Sequence, residues 1–306
     1  LSWIHISQVT SEVEKYVDQR RKGEIKSLRT GFPRLDAANI DGFEWGNTIT
    51  IGGRPSVGKS AFSDCLIRGF FANNDPDFSL LDFNWEMSAR ALLLRNLSSD
   101  LQRSYKYICS ADRNTVTDLE MSRVSHYLKT YATLPIFYSE KPRTPKDFAD
   151  VVRKFRDTYP NKKIVVRVDH TILARISKED GDRVTMLLNL LGYANEIKKE
   201  SDIIFLFLTQ MNREFATPDR QKSGKDEAYP RQGDVFGGDA TAMYSESMIL
   251  LNRPEMFKIT YYGQKPDGID VEDHDLFAHI VKSRNSEPNL MVRFRENFQN
   301  MSMSER

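Results

Sequence analysis

An unbroken phosphate-loop signature, Gly53-Arg54-Pro55-Ser56-Val57-Gly58-Lys59-Ser60, constrains this chain more than any other stretch, because it matches G-x-x-x-x-G-K-[ST] at every fixed position. Its surroundings agree with it. Upstream, Thr48-Ile49-Thr50-Ile51 is β-branched and apolar, as a buried strand should be, and downstream Ala61-Phe62 and Leu66-Ile67 continue at helical spacing. A chance glycine-rich turn would lack that strand, loop and helix order. The glycines let backbone N–H groups curl around a β-phosphate, and the helix N-terminus adds partial positive charge. Lys59 can reach the β- and γ-phosphates and the Ser60 hydroxyl can ligate magnesium, so a nucleotide-binding segment is expected from Gly53 to Ala61.

With 306 residues and 40% apolar content the chain can fill one large α/β core or two smaller ones. Forty-four basic against forty-three acidic residues leave +1, so affinity for nucleic acid must come from local clustering. Cys65 and Cys109 have no metal spacing, which argues against structural zinc and for a reducing compartment; Cys65 is expected in the core of the helix after the loop. No apolar run reaches the roughly 18 residues of a membrane span, and Leu1 to Gln8 lacks a signal-peptide layout. A cytoplasmic location without membrane contact is therefore expected. The chain opens on Leu1 instead of Met, in keeping with a trimmed or viral version of something longer.

Residues 1–25 are expected to form a linker segment around an amphipathic helix, Val9 to Lys22, with Ser11 and Glu14 at capping-box spacing. Its stripe of Val9, Val13, Tyr16 and Val17 either packs on its own domain or docks on a neighbouring subunit. Residues 26–306 read as one α/β unit in which strands and helices alternate, the pattern of a parallel sheet with crossover helices. Core strands are expected at Thr48 to Ile51, Phe78 to Asn84, Pro135 to Tyr138, Lys163 to Asp169, Asp202 to Thr209 and Met248 to Leu251. Helices begin at the Thr117/Glu120 capping box and at Thr144-Pro145. Their apolar stripes, with that of Val184, Leu187, Leu188 and Leu191, read as core. After Arg253, Phe257 to Tyr262, Leu276 to Val281 and Leu290 to Phe294 read as antiparallel strands at one edge of the sheet. Ala216 to Gly238 reads as the longest unstructured connection.

Catalytic groups of such a sheet belong at the C-terminal ends of its strands. Ile164 to Asp169 is a mostly apolar strand ending in a carboxylate, the layout of a residue that holds magnesium through water, although Arg167 has no evident reason to sit in it. Glu86, just after the second strand, can orient and deprotonate an attacking water, or can be a glutamate favoured by the dipole of the helix Ser88 to Leu97. Gln210 ends the fifth strand, where an amide could contact the γ-phosphate or simply finish a strand. Lys282 and Arg284 could be a solvated pair or could reach a nucleotide on the next subunit. The five histidines show no metal spacing and read as surface or packing residues. Candidate nucleic-acid contacts are Arg175, Lys178 and Arg183 after the fourth strand, and Arg213, Arg220, Lys222 and Arg231 after the fifth; interspersed acids make a merely solvated loop equally compatible.

Taken together, several stretches resemble the C-terminal ATPase domain of DnaB-type replicative DNA helicases. They are Thr30-Gly31-Phe32 with Leu35-Asp36, the phosphate loop, Glu86-Met87, Asp169, Thr209-Gln210-Met211-Asn212-Arg213 and Lys282-Ser283-Arg284-Asn285, in family order. The resemblance implies a RecA-like fold and a homo-oligomeric ring, a hexamer, with ATP and Mg2+ at subunit interfaces. It also implies translocation on single-stranded DNA and a primase or helicase loader as further partner. It casts Glu86 as the catalytic base, Gln210 as the γ-phosphate sensor, and Lys282 with Arg284 as residues inserted into the adjacent site, while the N-terminal helix becomes the linker that docks on the next subunit. This chain departs from the family in having His170 in place of Tyr, Thr209-Gln210-Met211 for Ser-Gln-Leu, and Asp234-Val235-Phe236-Gly237-Gly238 for an Arg-Glu-Ser-Gly-like string. In that last place a peptide N–H of Gly237 or Gly238 is the candidate phosphate holder. The competing expectations are a RecA-like or clock-type (KaiC-like) ATPase that assembles without unwinding, and a nucleotide-binding module with negligible turnover, against which Glu86 and Asp169 speak.

Overall fold

Six β-branched or aromatic-rich segments pair into the parallel part of a sheet in the computed structural model, which describes residues 3–75, 77–111, 116–221, 228–264 and 266–306. They are β1 (Thr48–Gly53), β2 (Phe78–Asn84), β3 (Ile136–Tyr138), β4 (Lys163–Asp169), β5 (Ile203–Gln210) and β6 (Ser247–Asn252). A two-stranded ribbon of β7 (Tyr261–Tyr262) and β8 (Ile269–Asp270) stands apart. The antiparallel strands β9 (Asp275–Ser283), β10 (Leu290–Asn297) and β11 (Ser302–Glu305) then complete the order β11-β10-β9-β6-β1-β5-β4-β2-β3.

Helices cover both faces. The described helices are α1 (Ile6–Arg21), α2 (Pro33–Ala37), α3 (Lys59–Asn73), α4 (Ala89–Leu101), α5 (Tyr105–Cys109), α6 (Asp118–Tyr131), α7 (Pro145–Thr158), α8 (Arg183–Glu200), α9 (Pro218–Gln221) and α10 (Gly238–Tyr244). The period-2 alternation of a strand divides β5 between two cores. Ile204, Leu206 and Leu208 pack with Phe62, Leu66 and Phe70 of α3, whereas Ile203, Phe205 and Phe207 pack with Phe148 of α7 and Leu187, Leu190 and Leu191 of α8. Burial on both faces is why these strands read as continuous apolar runs.

Several expectations need correction. The cap of α1 is His5 with Gln8 at N3, not Ser11 with Glu14, so the helix starts three residues early. None of its residues is buried, and Val13, Tyr16 and Val17 stay exposed. On α6 only Glu120 and Val124 are buried, while Met121 is 49% and Leu128 38% exposed, so that stripe is not a simple core face. With Leu93, Leu94, Leu97 and Val124 these two line an apolar groove of about 280 Å³ between α4 and α6. Val184 is likewise exposed at the start of α8. Phe257 to Tyr262 is no edge strand; it divides into a 3-10 turn, Pro254–Phe257, and the short β7. The stretch Ala216 to Gly238 carries α9 and a second 3-10 turn, Gln232–Asp234.

Arg167 now has a reason. It is buried in β4 and its guanidinium faces Asp82 of β2 at 2.6 and 2.9 Å and Asp64 of α3 at 2.5 Å, with Ser63 at 3.2 Å. Burial opposes its charge, but the two carboxylates outweigh burial and hold its pKa well above the ordinary value. The cluster ties the helix that follows the phosphate loop to the strand that ends in Asp169.

Candidate functional site

Parallel registry gathers the strand ends. Gly53 pairs with Gln210 across β1 and β5, and Asn84 pairs with Asp169 across β2 and β4, so phosphate loop, Gln210, Asp169 and Glu86 share one sheet edge. Gly58 caps α3 with φ 105°, a conformation that glycine adopts without strain; a Cβ there would also meet the Phe298 ring at 2.3 Å. The Lys59 ammonium donates to the carbonyls of Gly53 (3.0 Å) and Arg54 (3.1 Å). Burial pushes its pKa down to about 8 against the pull of Asp169 and Glu86.

Asp169 is buried, and burial raises its carboxyl to about 6 although Arg167 and the Ser60 hydroxyl favour the charged form. Its Oδ1 has no hydrogen-bond partner. A buried, unpartnered carboxylate oxygen beside a hydroxyl is a hard-oxygen set that fits a magnesium ion retaining most of its waters. Glu86 lies in the turn between β2 and α4, which is fixed by Trp85 N–H on Asp169 O (2.9 Å), Met87 N–H on the Asn84 side chain (2.9 Å) and the Ser88 cap. Its carboxylate is half exposed and 3.8 Å from Nε2 of His170. Burial lowers the His170 pKa, with Glu86 pulling the other way and Lys59 adding to the lowering.

A cavity of about 390 Å³ joins these groups, with walls from Ser56, Lys59, Ser60, Glu86, His170 and Gln210. Sequence alone does not point to four of its wall residues, His170, Arg95, Phe298 and Met301. His170, a surface or packing residue by its sequence context, instead lines the site. Arg95 enters from α4, and a cation directly after the run Leu92-Leu93-Leu94 is the signal that could have found it. Phe298 comes from the β10–β11 turn, with the Arg253 guanidinium 4.9 Å from its ring; no local pattern announces that tertiary contact.

Lys282 and Arg284 lie elsewhere. Strand β9 runs antiparallel to β6, so its end, Ser283, pairs with Ser247 at the start of β6. Counted along β1 in this register, Lys282 (level with Thr50) lies about 10 Å and Arg284, one residue past Ser283, about 17 Å from the level of Gly53, both towards the end of the sheet opposite the phosphate loop. Within one protomer they cannot serve its own site.

The candidate nucleic-acid residues are scattered over two connections. Arg175 and Lys178 are exposed between β4 and α8, and Arg183, the exposed first residue of α8, donates to Ile172 O. Arg213 and Arg231 are exposed between β5 and β6, whereas Arg220 is engaged by Asp234 (2.7 Å) and Tyr229 O (3.1 Å) and so serves the fold of its loop. Lys222 lies outside the described residues. Gly238 N–H donates to Val235 O at 2.9 Å, which uses the donor considered for phosphate. Gly237, at φ 80°, packs against Leu187 and Thr241 too closely for a side chain. This connection is stitched to the site, because Phe236 N–H donates to Gln210 O at 2.8 Å and Met211 bridges Val235.

The family model of the DnaB-like helicase C-terminal domain matches residues 27–302, nearly the whole chain. The chain belongs to that family. The replicative DNA helicase DnaB of Helicobacter pylori is 23% identical over 265 residues, covering 86% of this chain and 51% of its own length, so the chain spans about half of that relative. Among solved structures, an isolated ATPase domain superposes with TM-score 0.81 at 16% identity, covering 97% of this chain and 98% of that one. A DnaB-like replicative helicase, described together with its interactions with primase, gives 0.78 at 16% identity over 99% of this chain and 67% of that one. This DnaB-like domain thus has the RecA-like fold of those structures, with the antiparallel edge as an integral part of the sheet.

Among the described residues no helix is long and apolar enough to cross a membrane, and no group of three or more His, Cys, Asp or Glu could hold a metal.

Proposed function

We propose that this chain is the motor of an ATP-dependent replicative DNA helicase, acting in the cytoplasm as a homo-hexamer that hydrolyses ATP at its subunit interfaces while moving along single-stranded DNA. The observation that carries the reading is the position of Lys282 and Arg284 at the sheet edge opposite the phosphate loop, half-exposed in the case of Arg284. A cation pair so placed is useful to hydrolysis only in the site of another copy.

Within each site, the peptide groups of the Gly53 to Ala61 loop and Lys59 grip the phosphates, and Glu86 orients and deprotonates the attacking water, with His170 beside it. Ser60 and Asp169 would hold magnesium, which when bound neutralises charge on the phosphate oxygens. Gln210 reads the γ-phosphate, and its backbone bond to Phe236 conveys that state to the connection carrying Arg213, Arg231 and Gly237. The exposed stripe of α1 docks on a second copy, for which the apolar groove between α4 and α6 offers a matching surface. A primase or loader is the further partner.

The test is strand release from a forked DNA duplex with ATP and Mg2+. Release that is lost with Lys59→Ala and with Arg284→Ala supports the proposal; ATP consumption without release, as a KaiC-like assembling ATPase would show, refutes it.

A further inference from the structure

The guanidinium of Arg284 is not free-standing. Its Nη1 lies 3.2 Å from Glu246 Oε1, its Nη2 donates to Met243 O at 3.0 Å, and its backbone N–H donates to Glu246 O at 3.0 Å. Lys282 Nζ donates to Ala242 O. Ala242 and Met243 belong to the last turn of α10, whose carbonyls carry the negative end of the helix dipole; Ala242 O also accepts from Ser245 N–H at 3.3 Å.

Glu246 itself is anchored from the other side. Its Oε2 accepts from Thr48 N–H at 2.8 Å and from Lys198 Nζ on α8, and its side chain is only 12% exposed. Thr48 is the first residue of the strand that ends in the phosphate loop. One carboxylate thus joins the base of β1 to the guanidinium of a side chain that is 51% exposed.

We propose that Glu246 is the positioning residue for Arg284: by holding one arm of the guanidinium it aims the others outward, at the phosphates of the neighbouring copy. A long arginine that had to be ordered on each encounter would lose rotamer freedom at every turnover; one fixed beforehand does not. The bonds to Ala242 and Met243 set the same pair on α10, so a shift of α10 moves both cations together. This inference rests on the reading of Arg284 as a residue that acts in the neighbour's site.

DNA-stimulated ATP hydrolysis by the assembled protein tests it, with light scattering to verify assembly and thermal melting to verify folding of each variant. Glu246→Gln, which keeps an acceptor for Thr48, is expected to lower kcat about tenfold to a hundredfold with KM for ATP within about twofold. Glu246→Asp keeps the negative charge but draws the carboxylate back by one methylene from Arg284 and Lys198 alike, and should show the same split. In an Arg284→Ala background, Glu246→Gln should cost nothing further, the non-additivity that a merely structural role would not produce. Normal kcat in Glu246→Gln with kcat strongly lowered in Arg284→Ala would overturn the positioning role alone, as would losses that multiply in the double variant. An Arg284→Ala protein with full kcat would overturn the parent reading and this inference with it.

Discussion

Arg167 grips Asp82 at two points inside the sheet, Nε to Oδ1 at 2.9 Å and Nη2 to Oδ2 at 2.6 Å, with both side chains buried. Arg167→Met would strand two buried carboxylates, Asp82 and Asp64, and is expected to destabilise the fold by about 3 to 5 kcal/mol. Replacing all three with apolar residues of similar volume should recover most of that loss, because the desolvation of the charges disappears with them. Urea unfolding of the single and triple variants compares the two; a single variant as stable as the parent would contradict the arrangement.

Asp169 carries a folded-state pKa of about 6, above the ordinary carboxylate value, so ionising it costs stability that is intact below about pH 4 and lost as the pH rises through about 6. Asp169→Asn should therefore stabilise the ligand-free protein near neutral pH by about 1 to 2 kcal/mol while removing Mg2+-dependent hydrolysis. Thermal melting with and without Mg2+ reads both effects.

Lys59, with a pKa of about 8 in the free protein, loses its proton as the pH rises through that value. A bound phosphate group stabilises the ammonium, so binding above that pH takes up a proton. Mg2+-free ADP should bind with constant affinity near neutrality and weaken by up to about tenfold per pH unit beyond about 8. Calorimetry in buffers of different ionisation heat measures the uptake directly, and Lys59→Arg should flatten the profile.

Phe298 lies against Gly58 and walls the cavity beside the phosphate loop, backed by Arg253. Phe298→Ala is expected to weaken nucleotide binding by about 1 to 2 kcal/mol through the lost aromatic wall, with little change in melting temperature, since the ring is only partly buried. Gly58→Ala should abolish binding, because it adds both a strained backbone and a clash. Fluorescent-nucleotide titration distinguishes the two.

The layout of the candidate site was largely legible because its residues sit at strand ends: β2 and β4 have the boundaries that their apolar runs give, and the placement of Glu86, Asp169 and Gln210 at one sheet edge follows from where those runs stop. What local pattern could not convey was tertiary. The strand β11 and the Phe298 turn lie in a polar tail whose partners, Gly58 among them, are far back in the chain. The α6 stripe shows the opposite error, since helical periodicity reports an apolar face but not whether the same molecule covers it. Arg167 was opaque for a similar reason, its two acids belonging to α3 and β2.

With the phosphate loop at one end of the sheet and Arg284 at the other, the proposed function would make every molecule a link with a socket and a plug that cannot meet each other. Joined head to tail, such links close into a circle or grow as a helix. In an open chain the two termini differ: one keeps an unfilled socket, so a run of any length always has one more site than it has working sites. Under the proposed function, only closure would put every molecule to work, and opening the circle to admit a strand would silence a single seam while the rest stay competent.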